Sequence, residues 1–302
     1  MTASTKKNDE LNIRNLIFTF LPILIAICLQ YLVVIGDIVI LFIKNIFSSE
    51  KTISTRSIET IINQQYNQPM NLAYISLWQY IFYILIFGIW YYKVFGKHKD
   101  SDAPATIRAS LLKSFKDMFN HFTPIFMIVA GIAAQFMVDG ILTLIRPIFT
   151  EAFADYDKIV SNVTGAGSSW VMLLAVMLVA PIGEEFLFRG LVFRYSKRCL
   201  PPWIAIIFQA ILFGVYHGNI IQGVYAFVLG TVLGLVAYKF KSVMPGILLH
   251  ISINVSLIFV PEFLFETTGR CIATTLVSAL IFAIGIILAI KFRNKKFKHT
   301  DK

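Results

Sequence analysis

The chain has 302 residues, 57% hydrophobic and only 15% charged, with a formal net charge of +10. Soluble domains run at roughly 45–50% apolar and about 25% charged, so the composition excludes a water-soluble globular domain. The basic excess does not indicate a nucleic-acid partner, because Lys and Arg flank apolar stretches instead of forming a basic domain. The three cysteines, Cys28, Cys199 and Cys271, form no C-x-x-C motif and read as free thiols.

In chain order, apolar blocks fall near 15–43, 72–92, 122–146, 169–195, 203–218, 220–239, 243–264 and 271–290. A helix crossing about 30 Å of hydrocarbon needs about 20 such residues. The expected fold is all-α: a polytopic membrane protein, a bundle of about eight transmembrane helices forming one integral domain over 1–302. The first block is too long for a signal-peptide core and is expected to stay as a helix. Segments 45–71 and 147–168 read as polar outer loops. Segment 93–121 reads as an inner loop, and 107–119 within it is either an interfacial amphipathic helix or a plain connector. The aromatic residues of 78–92 are expected to face lipid and interface. Pro201-Pro202 opens the fifth span, Gly218-Asn219 separates it from the sixth, and Pro245-Gly246 starts the seventh. Gly230 and Gly234 form a G-x-x-x-G suited to close packing within one chain.

With the N-terminus inside, the inner segments hold 21 of the 27 Lys and Arg. Positive-inside bias then places both termini in the cytoplasm of a multi-pass protein of the cell membrane.

Three fragments put polar groups inside apolar spans: Glu184-Glu185-x-x-x-Arg189, Phe213-x-x-x-His217 and His250-x-x-x-Asn254. A charge at membrane depth costs about 2.5–3.5 kcal/mol on insertion scales, so these groups mark a site. Glu185 and Arg189 are four apart and can pair along a helix. Glu184 points about 100° away and is left to titrate. Pro181 donates no amide hydrogen and should loosen the helix beside the carboxylates. Two mechanisms fit. Glu184 and His217 can activate a water while His250 and Asn254 bind the oxyanion. Alternatively Glu184, His217 and His250 can hold a zinc ion whose water attacks. No H-E-x-x-H motif is present. Counting helix rise places His217 about 10 Å further outward than Glu184 and His250, a mismatch that tilt or a deeper fifth helix would remove.

The ordered motifs resemble those of the CAAX-protease and bacteriocin-processing (Abi) family of intramembrane proteases, related to type II CAAX prenyl endopeptidases. The resemblance covers roughly 120–260, a catalytic core. It implies Glu184 as the water-activating residue with His217 as its partner, His250 and Asn254 as the oxyanion pair, and Glu185 and Arg189 as supports. It leaves open a metal-free glutamate mechanism or a metalloprotease.

The expected function is therefore an intramembrane endopeptidase cutting near the cytoplasmic side. Its partners would be membrane lipid and a membrane-associated or lipidated peptide or protein, in bacteriocin or pheromone maturation or in immunity. The rivals are a proton-coupled transporter, disfavoured because no inverted repeat is visible, and a non-catalytic immunity or scaffold protein.

Overall fold

The computed structural model describes residues 3–47, 68–95, 112, 114–115, 118–119, 122–165 and 168–293. Most of the expected outer loop 45–71 and of the interfacial segment 107–119 lies outside the described residues.

Among the described residues the regular structure is entirely helical: α1 (Ala3–Phe47), α2 (Pro69–Phe95), α3 (Thr123–Ile145), α4 (Thr150–Thr164), α5 (Trp170–Ser196), α6 (Pro202–Tyr216), α7 (Ile220–Phe240), α8 (Met244–Ser256) and α9 (Thr268–Phe292). Six of these are long and apolar enough to cross a membrane, and α6 and α8 are shorter apolar helices. The protein is a polytopic helical membrane bundle.

Burial ranks the helices. In the most apolar window of α5, 67% of residues are buried inside the protein, against 6% in α1. The helix carrying both glutamates is thus the central post, and α1 is a peripheral one. Small residues set the closest contacts. A Cβ on Gly131 would lie 2.8 Å from the Leu249 carbonyl oxygen, which brings α3 tight against α8. Gly230 and Gly234 of α7 face Ala210, Phe213 and Gln209 of α6, so the G-x-x-x-G packs an intramolecular hairpin.

α5 is not a regular α-helix. It contains two π-helical stretches, Ala175–Val179 and Glu185–Val192, where the Ala180 N–H reaches back to the Ala175 carbonyl. Pro181 follows directly and has no N–H for the ladder. A wider turn next to a proline, flanking the glutamates, is the local departure that π geometry commonly marks at functional sites.

Three expectations change. Segment 147–168 is not a plain loop, since α4 occupies Thr150–Thr164 and buries Phe153 and Tyr156. Its apolar residues recur three to four apart while acidic and hydroxyl side chains face outward, and a helix can seat that stripe against α7. The aromatic stretch 78–92 is not simply lipid-facing. Trp78 and Phe82 are exposed, but Tyr83, Phe87, Tyr91 and Tyr92 are buried in the core around α5. Tyr83, Phe87 and Tyr91 are four apart and lie on one helix face, with Tyr92 beside it. The seventh apolar block does not run as one helix to 264. α8 stops at Ser256, a 3₁₀ turn covers Leu257–Phe259, and Pro261 lies just beyond.

Candidate active site

Glu185 and Arg189 lie one turn apart on α5, both fully buried, with Arg189 Nη1 donating to Glu185 Oε1 at 2.8 Å. A bare buried ion pair gains little over the cost of desolvation, and here further groups support it, while Glu185 Oε2 and Arg189 Nε have no hydrogen-bond partner among the described residues. Arg189 Nη2 donates to the Gly230 carbonyl at 3.3 Å, and the guanidinium sits 4.2 Å from the centre of the Phe213 ring. Gly246 leaves the space for Glu185, since a Cβ there would stand 2.8 Å from Oε2.

The same Glu185 oxygen holds His250. His250 Nδ1 donates to Glu185 Oε1 at 3.2 Å. A carboxylate paired with arginine can only accept, so Nδ1 carries the hydrogen and Nε2 is turned to the other side. There Nε2 lies 3.8 Å from Glu184 Oε2. Tyr80 on α2 donates to Glu184 Oε1 at 3.1 Å. Glu184 is therefore oriented at both oxygens, one by a phenol and one beside an imidazole.

His217 caps the C-terminal end of α6. Its Nδ1 donates to the Phe213 carbonyl at 2.7 Å. A carbonyl only accepts, so the neutral ring keeps a free lone pair on Nε2, available as a base or ligand. The Phe213 ring stacks edge-on against His217 and His250 with centroids 4.7 and 5.8 Å apart. One phenylalanine thus orders both imidazoles and the guanidinium.

Asn254 Nδ2 donates to the Val176 carbonyl at 2.9 Å. Val176 lies five residues before Pro181, in the first π stretch, so its carbonyl is the one left without an N–H partner by the proline in a five-residue ladder. Asn254 supplies that hydrogen and still has a second N–H.

Tyr80, Glu184, His217, His250 and Asn254 all line one cavity of about 220 Å³. The outward offset expected for His217 does not separate it from the others, since it lines the same cavity as Glu184 and His250.

Residues 166–256 match the family described as type II CAAX prenyl endopeptidase Rce1-like. The segment that carries the three motifs is therefore similar to this family. UPF0177 protein YbdJ of Lactococcus lactis subsp. lactis (strain IL1403) is 24% identical over 159 residues, covering 50% of this chain and 68% of that protein. An uncharacterized 24.3 kDa protein of Escherichia coli is 29% identical over 111 residues, covering 35% of this chain and 47% of that protein. No solved structure matches the chain. The matched family is one of CAAX prenyl endopeptidases.

Every residue of the three motifs falls inside the Rce1-like segment. Tyr80 lies outside it and was not singled out by sequence reasoning. Its only signal is a hydroxyl placed within an aromatic face four residues wide. The zinc alternative meets a geometric objection. Among the described residues no three His, Cys, Asp or Glu side chains form a group that could hold a metal ion. Glu184, His217 and His250 share a cavity without meeting that condition, so no step is derived through a metal.

Proposed function

We propose that the chain is an intramembrane endopeptidase that hydrolyses a peptide bond with a water activated by Glu184. The observation that carries this reading is the buried cavity shared by Glu184, His217 and His250, with Glu184 held by the Tyr80 hydroxyl. Glu184 Oε2 takes a proton from water while the Nε2 lone pair of His217 accepts a hydrogen bond from the same water. The water oxygen bonds to the carbonyl carbon, giving a tetrahedral oxyanion. His250 Nε2, when protonated, and the second N–H of Asn254 are the donors suited to that oxyanion. Collapse breaks the C–N bond, and Glu184 returns its proton to the leaving amine. Glu185 and Arg189 orient His250 and do not touch the reacting atoms. The catalytic core is 120–260, and its substrate is a membrane-associated or lipidated peptide or protein. Bacteriocin or pheromone maturation and immunity fit such a substrate.

The test is cleavage of lipidated and leader-bearing peptides by the full chain in proteoliposomes. Removing a general base lowers the rate by about 10²–10⁴-fold, and Glu184→Gln and His217→Ala are expected to show losses in that range without loss of folding. Wild-type rates in both variants would sink the assignment. Activity is expected to survive chelation, whereas loss on chelation and rescue by zinc would require the metal mechanism.

A further inference from the structure

The cavity runs from one end of the bundle to about its middle. It reaches Glu184, His250 and Leu233 at its floor, and its walls include the end of α6 at His217, the first turn of α7 at Gln222, Leu257 beyond α8, and Tyr156 and Val163 of α4. These wall positions belong to the end carrying the connections 146–169, 217–219 and 257–267. Toward the opposite end, α5 continues through Leu187, Phe188, Arg189, Leu191 and Val192, each with 0% exposure. That block closes the floor. The closed end carries the connections 93–122, 197–201 and 241–243, where Lys and Arg are concentrated. By sequence, the segments that join helices at the open end contain Lys44, Lys51, Arg56, Arg146, Lys158 and Arg270. Short loops rich in Lys and Arg stay in the cytoplasm.

We infer that the cavity opens on the extracytoplasmic face, beneath α4, and that its substrate is an exported or membrane-anchored polypeptide presented from that side. The inference rests on the protease reading for the word substrate, and it replaces the expectation of a cut near the cytoplasmic side. α4 is built to lie over such a mouth. Phe153 and Tyr156 are buried, Tyr156 meets Tyr225 of α7 edge-on at 6.2 Å, and Asp155, Asp157 and Lys158 face outward. A polypeptide held in the outer half would pass under this helix to reach Glu184. A chain approaching from the cytoplasm would meet the closed block around Arg189.

Thiol labelling of the full chain in intact cells tests this. Cys28, Cys199 and Cys271 are replaced by serine or alanine, and single cysteines are added as Asp155→Cys and Glu266→Cys at the open end and Gln222→Cys on the cavity wall. A fourth variant keeps Cys199 alone as the reporter of the closed end. A membrane-impermeant maleimide is expected to label Asp155→Cys and Glu266→Cys from outside and Cys199 only after lysis. A small impermeant methanethiosulfonate is expected to modify Gln222→Cys from outside. Labelling of Cys199 from outside, or of Gln222→Cys only after lysis, would overturn the inference. No substrate enters this experiment, so it can fail while Glu184→Gln still abolishes cleavage, and it can succeed if the protease reading falls.

Discussion

At the scale of single residues, the site is two carboxylates made different by their neighbours. Glu185 is locked to Arg189 and His250, while Glu184 meets a phenol and the far side of the same imidazole. The sequence spacing of four between Glu185 and Arg189 made that pairing legible. It could not show that His250 bridges the two glutamates, because that contact joins α5 to α8. Nor could it show Tyr80, which reads as one more ring in an aromatic stretch. Tyr80→Phe deletes only the hydroxyl. A hydrogen bond to a charged group contributes about 1.5–3 kcal/mol, and loss of that amount in orienting Glu184 should lower kcat by about 10- to 100-fold, with KM unchanged. An unchanged kcat would reduce Tyr80 to packing. Arg189→Met acts differently, because it leaves Glu185 buried without its partner. Such a loss costs about 3–5 kcal/mol and should appear as a lowered unfolding midpoint in detergent. Adding Glu185→Gln to it should recover part of that stability but not activity, since His250 would lose its carboxylate.

At the scale of helices, the apolar blocks were readable from composition because hydrocarbon length imposes a period-free signal of about 20 residues. What composition could not separate was a polar loop from an amphipathic helix at the surface. α4 carries the needed stripe in Phe153, Tyr156, Val160 and Val163, but its high polarity outweighs it in any averaged window. The fragmentation of α5 into α and π segments was foreshadowed by Pro181, and the answering donor, Asn254, was not. α4 is fastened to the end of α3 by a forked contact, Arg146 Nη1 and Nη2 to the two Asp157 oxygens at 2.7 and 3.0 Å. Arg146 also covers the Phe153 ring. The guanidinium hydrogen bonds hold the Asp157 carboxyl below its ordinary range. A depressed folded-state value means the clasp is fully present above the unfolded aspartate range and is lost as pH falls through the lowered value. Hydrogen exchange in the α4 amides should therefore rise on strong acidification, with the amides of α3 unaffected. Arg146→Ala should give the same rise at neutral pH. If exchange in α4 is indifferent to both, the clasp does not hold the helix.

At the scale of the whole molecule, the site depends on two helices that are too short for the membrane around them. α6 has 15 residues and α8 has 13. At about 1.5 Å per residue these are roughly 20–22 Å long, against about 30 Å of hydrocarbon. The helices α2, α3, α5, α7 and α9 are long and apolar enough to span, so the bundle forms a taller wall with a depression where α6 and α8 end. His217 stands at the end of one short helix, and Asn254 lies near the end of the other. The shortness is what brings a polar pocket to membrane depth without placing loose backbone against lipid, which the bilayer does not tolerate. It also makes the pocket sensitive to the thickness of its surroundings. A thicker bilayer must thin locally or bury the mouth under α4 more deeply, at a cost of fractions of a kcal/mol per Å of mismatch. Reconstituted into vesicles of phosphatidylcholine with acyl chains lengthened from 14 to 22 carbons, the protein should lose cleavage rate several-fold while remaining inserted and folded. The loss should be in the delivery of substrate, raising KM more than it lowers kcat, because the geometry around Glu184 is fixed by contacts inside the bundle. A rate that is flat across the series would mean that the depression is filled by something other than water and lipid, and that α6 and α8 do not sense the bilayer at all.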